Sequence, residues 1–84
     1  MESAHNWQRS VVLANPEADV FVIVRNALEA AAYLMDFWPR QRGPAFFRAI
    51  RVCADALDGE AADEDVRKAF LAAAQDADIA VTVH

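Results

Sequence analysis

A chain of 84 residues holds one domain, with a core near the lower size limit for independent stability. A net charge of −5 argues against a general nucleic-acid binder, which works by neutralising phosphates. The one cysteine, Cys53, excludes an internal disulfide framework, and the two glycines, Gly43 and Gly59, exclude a glycine-rich phosphate loop.

The opening, MESAHNWQRS, has no basic segment followed by an apolar run, so no signal peptide is expected. No apolar run approaches the roughly 18 residues a membrane span needs, so a cytoplasmic protein without membrane contact is expected. Residues 1–6 are expected to be disordered, with one domain over 1–84 and its core over 7–83.

WQRSVVLA and DVFVIV are rich in β-branched and aromatic residues, and the Asn15–Pro16 turn separates them. They predict two antiparallel strands, Trp7–Leu13 and Val20–Val24. A first helix begins after Asn26, an N-cap with Glu29 three residues on in a capping-box-like arrangement. It runs to about Phe37, and Pro39 forbids its continuation. A second helix starts at Gly43–Pro44, where proline suits the first helical position, and ends at Gly59 in the left-handed cap conformation. Asp63, Glu64 and Asp65 then favour the positive end of a third helix, which ends near Ala77. IAVTV closes the chain as a strand. The expected fold class is α+β: a small three-stranded antiparallel sheet packed with three helices, in the order ββαααβ.

The faces of these elements point further. Phe46, Ile50, Cys53 and Leu57 form the buried stripe of the second helix, with Phe47 and Ala54 on its flank and Arg48 and Arg51 pointing away. Val66, Ala69, Phe70, Ala73 and Ala77 form the stripe of the third. The first helix is apolar nearly all round. Leu28, Ala32 and Met35 make one face, Ala30, Leu34 and Phe37 another, and Glu29, Tyr33 and Asp36 supply one polar sector. Such a helix is expected to be buried nearly all round. The second strand is continuously apolar, as when both sheet faces are covered. Either one helix crosses to the far face or a second copy covers it. The second copy is favoured, as a twofold homodimer.

No catalytic arrangement emerges, and neither cofactor nor metal is expected. His5 lies in the N-terminal segment and His84 is the last residue, so neither is a positioned base. The acids of EAADEDVRK stand where helix capping places them.

The charge is unevenly spread, −3 over residues 1–37, +4 over 38–53 and −6 over 54–84. The basic stretch lies at the turn between the first two helices. Arg40 and Arg42 precede the free amides after Gly43, and together with Arg48 they are the candidate site for an anion or partner. The competing reading leaves these arginines solvated or locally paired. Arg51 has Asp55 four residues on and Arg40 has Asp36 behind it, whereas Arg42 and Arg48 lack an obvious acid. Trp38, followed by Pro39, reads as a structural plug closing the corner; Cys53 reads as a small buried core residue.

The combination Trp38-Pro39, Arg42-Gly43, Phe47, Cys53, Ala56-Leu57, Gly59, Arg67, Ala69 and Phe70 resembles the small bacterial domain-of-unknown-function family numbered 982. The resemblance covers about residues 20–80, with Val66 standing where the pattern has alanine. It implies a bacterial source and a fold of this layout, and brings no activity, cofactor or catalytic residue. The function is therefore unknown, with a small interaction or regulatory module acting as a homodimer as the leading expectation. The alternative is an anionic-ligand-binding domain with its site at the arginine-rich start of the second helix.

Overall fold

The structure, a computed structural model, describes residues 6–7, 9–15, 20–36, 38 and 42–83. Its elements are β1 (Val11–Asn15), β2 (Val20–Val24), α1 (Ala27–Asp36), α2 (Pro44–Leu57), α3 (Asp63–Asp76) and β3 (Val81–Val83). This is the expected ββαααβ order. The sheet order is β2-β1-β3, and β1 pairs antiparallel with both neighbours. Val11 stands opposite Val24 and Val83, Val12 opposite Ile23 and Thr82, and Ala14 opposite Phe21.

Because strand side chains alternate, this register sorts the sheet into two faces. Val11, Leu13 and Val24 are buried, and Val22 and Val81 pack partly against the core. The other face carries Val12, Ala14, Phe21, Ile23 and Thr82. There Phe21 is 77 % exposed and Ile23 57 % exposed. The helices therefore cover one face only. Of the two expected ways to cover the second face of β2, a helix crossing to the far side is not found among the described residues, and within one chain that face stays open.

β1 begins four residues later than expected, at Val11 instead of Trp7, and extends to Asn15. Composition misleads here because Trp7 serves another purpose. Its backbone N–H donates to the Arg25 carbonyl at 2.6 Å while its ring is buried in the core. The expected disorder of residues 1–6 falls outside the described residues apart from Asn6, whose Oδ1 accepts from Asn26 Nδ2 at 2.9 Å.

The start of α1 follows from its cap. Asn26 Oδ1 accepts from the Glu29 N–H at 2.9 Å, satisfying one of the amides a helix start leaves open. Glu29 returns to the Arg25 N–H at 2.8 Å, one residue earlier than in a strict capping box. The orientation of α1 differs from the expectation. Ala27, Ala30, Tyr33 and Leu34 are buried, while Leu28, Ala32 and Met35 face outward. The helix is thus covered on one side only. Tyr33 turns inward because its ring packs edge-on against Trp38 and Phe70, at centroid distances of 5.8 and 6.4 Å.

α2 and α3 form a helical hairpin. Pro44 opens α2 at its first turn, and Gly59, at φ 80°, follows the last turn of α2 in the left-handed region that favours glycine. The α2 stripe is Phe46, Ala49 and Cys53 with Ile50, Val52 and Ala56 beside it; Leu57, expected inside, is 51 % exposed at the last turn. α3 buries Val66, Ala69, Phe70, Ala73 and Ala74. Its N-terminal acids include Asp65, whose Oδ2 accepts from the Ala62 N–H at 3.3 Å. Phe70, fully buried, joins the layers: Trp7, Tyr33 and Trp38 all have ring centroids within 6.4 Å of it.

Candidate functional site

The basic corner is built by the exit from α1 and the entry to α2. Trp38, 5 % exposed, fills the space between Tyr33, Phe46 and Phe70, with centroids at 5.8, 6.0 and 5.8 Å. Arg42 then folds back over this plug. Its guanidinium carbon lies 4.9 Å from the centre of the Phe46 ring, and Nη2 donates to the Trp38 carbonyl at 3.4 Å. The cation meets the ring's electron-rich face and also satisfies a carbonyl beyond the end of α1. Arg42 thus has local partners, one aromatic and one backbone, instead of an acid.

Gly43 adjoins an acid from another helix. A Cβ at Gly43 would stand 3.1 Å from Asp76 Oδ2, so a carboxylate from the end of α3 already lies beside the first turn of α2. A negative charge there is favoured by the helix dipole and disfavours a second anion. Nothing in this geometry supports the small-anion alternative. Arg40 and Pro39 lie outside the described residues. Gly59 lies at the far end of the hairpin. Cys53 is buried within α2, and burial pushes its thiol up to about 11.

Arg48 points into a different setting. Along the outer side of the hairpin runs an open groove of about 660 Å³, lined by residues of α2, of α3 and of the turn between them. Ala45, Val52, Ala69 and Ala72 give its apolar surface, while Arg48, Lys68 and Asp65 give its polar one. Arg48 and Lys68 form no ion pair among the described residues. Two other cations do pair: Arg25 with Glu29 at 2.9 Å and Arg67 with Glu64 at 3.6 Å. Arg51 and Asp55 are exposed and form no ion pair among the described residues.

A further surface is the uncovered sheet face. Val12, Ala14, Phe21, Ile23 and Thr82 present no charge, and Arg25, which follows β2, is held by Glu29. Sequence reading found the apolar strand but not which of its residues face out. It missed Lys68, whose place opposite Arg48 depends on how the hairpin closes. It missed Asp76 for the same reason. Among the described residues no group of three or more His, Cys, Asp or Glu gathers to hold a metal, and no described helix is long and apolar enough to cross a membrane.

These features define a small α+β domain in two layers, three helices on one face of a three-stranded antiparallel sheet. Within that class the chain belongs to the family described as Protein of unknown function (DUF982), whose model matches residues 9–81. The match extends beyond the resemblance over 20–80 and takes in the whole of β1. No curated protein and no solved structure matches the chain.

Proposed function

We propose that this domain is an interaction module that acts as a homodimer, joined through the uncovered face of its sheet. The carrying observation is that Phe21 and Ile23 are exposed on a sheet face whose described strand residues carry no charge. A chain of net charge −5 repels its own copies over most of its surface, so a charge-free face is where two copies approach at least cost. Burying one phenylalanine removes roughly 150–250 Å² from water. Two copies of Phe21 and Ile23 with their strand neighbours supply on the order of 800 Å², short of the roughly 1,200 Å² at the low end of stable interfaces. An area of that size belongs to weak, reversible association, so the dimer is expected to dissociate on dilution. Two sheets stacked face to face across a twofold axis make a four-layer assembly with helices outermost. The compartment we assign is the bacterial cytoplasm, where a free thiol such as Cys53 stays reduced.

Light scattering at micromolar concentration tests the reading. Wild type is expected at twice the monomer mass, and Phe21→Glu at the monomer mass with its helical circular dichroism retained. A wild-type monomer throughout the concentration range overturns the dimer.

A further inference from the structure

We infer that the groove between α2 and α3 is the docking site for an acidic amphipathic helix of a partner protein. The inference rests on the reading of this domain as an interaction module and names the chemistry of what it binds. The groove belongs to the helical layer, on the opposite side of the molecule from the face assigned to the dimer, so both are open at once.

Three observations fix the occupant. The first is shape. The groove follows α2 from Pro44 to Val52 and α3 from Asp65 to Ala72. At 1.5 Å per residue that is about 12 Å, two turns of an opposing helix. Its surface of Ala45, Val52, Ala69 and Ala72 is apolar and mostly short, so a third helix can approach closely and set larger apolar side chains against it.

The second is charge. Arg48 on α2 and Lys68 on α3 flank this apolar surface, one from each helix, and neither is neutralised by an ion pair among the described residues. In a protein of net charge −5 they form a local reversal of sign. Carboxylates spaced three or four residues apart on a docked helix lie on the same side and reach both cations. The third observation concerns Asp65, the groove's own acid. Its Oδ2 accepts from the Ala62 N–H at 3.3 Å, and it belongs to the first turn of α3, whose dipole it complements. Its charge is engaged at one end and does not satisfy the two cations. A nucleic-acid strand would meet the same two cations, but its phosphates set no apolar side chains against Ala45, Val52, Ala69 and Ala72, which an amphipathic helix does.

A random dodecapeptide display library tests the inference, selected in parallel against wild type, the double variant Arg48→Glu/Lys68→Glu, and Phe21→Glu. The expected winners on wild type carry Asp or Glu together with large apolar residues at helical spacing. Synthesised, they bind at least tenfold more weakly to the double variant, lose affinity as sodium chloride is raised, and bind Phe21→Glu as they bind wild type. Amide shifts in wild type on adding the winning peptide are expected at Ala45, Arg48, Lys68 and Ala72, a readout that needs no variant to fold. The inference is overturned by no enrichment, by neutral or basic winners, by winners indifferent to the double charge reversal, or by shifts confined to the sheet. Winners lost on Phe21→Glu place the occupant on the sheet face and likewise overturn it. Failure of the dimer is read separately, in the scattering of the unliganded protein.

Discussion

The Asp76 carboxylate stands against Gly43, close enough that a Cβ at that glycine would lie 3.1 Å from Asp76 Oδ2. α2 has no acid in its own first turn, so α3 supplies one from its far end. Asp76→Asn is expected to change stability by less than about 0.3–1 kcal/mol, because the carboxylate that favours the start of α2 also opposes the negative end of α3, and raising salt shrinks the change further. Gly43→Ala should be less costly in the Asp76→Ala background than in wild type, measured as a coupling in urea denaturation. Equal costs in the two backgrounds would show that the carboxylate yields freely.

The same acid bears on anions. Sulfate stabilises folded proteins nonspecifically, so wild type and Arg42→Gln are expected to gain equally in melting temperature when sulfate replaces chloride at matched ionic strength. A distinctly larger gain in wild type would restore the anion-site reading.

Trp38→Ala is expected to cost about 3–5 kcal/mol, the range for truncating a large buried aromatic. It removes the ring contacts to Tyr33, Phe46 and Phe70 and the surface on which the corner closes. In a domain this small that is a large share of total stability. Urea denaturation reads it directly, and a loss near zero would place the indole outside the core.

Cys53 should be inert in the folded protein. Burial raises its thiol from 9.0 to about 11, so the native state holds the protonated form. Because the folded value lies above the unfolded one, this contribution to stability is complete below pH 9.0 and is lost between there and about 11. Labelling by a disulfide reagent near neutral pH is expected to proceed only as fast as the protein opens. Prompt labelling would contradict the burial of the thiol.

Glu29 carries the opposite dependence. The side-chain hydrogen bond from Arg25 holds its carboxyl below the usual 4.5, against the opposing effect of burial. A depressed folded value gives stability that is present above pH 4.5 and lost as pH falls through the folded value. Glu29→Gln is expected to flatten the acid limb of the stability profile and to matter little once the carboxyl is protonated. An unchanged acid limb would show that the exposed Arg25 contributes nothing there.

The order of elements was legible because each helix is bounded by local chemistry: Asn26 as cap, Pro44 at the first turn of α2, Gly59 at its end, and Asp63–Asp65 at the head of α3. What failed was decided at a distance. Tyr33 looked polar in its helix, yet its ring is largely hydrocarbon and three other aromatics lie inside. Leu28 and Met35 face out because the packing of α1 on α2 and α3 sets its rotation, which periodicity alone does not. The stop of α3 carries no glycine; Asp78 takes the left-handed conformation itself, at φ 58°. At the candidate site, the partner of Arg42 was four residues away in the sequence, but as an aromatic ring rather than an acid.

The position of β1 between β2 and β3 sets an order on the birth of the molecule. Its pairing with β2 joins neighbours in the chain, whereas its pairing with β3 sets Val11 opposite Val83 and closes nearly the whole chain. A ribosome making this protein releases the hairpin and all three helices before the last strand is free to dock. Until then one long edge of β1 lies open, and the closing contacts must gather a loop that includes every helix. The nascent domain is therefore most vulnerable to wrong strand pairing until Val81–Val83 pair with β1.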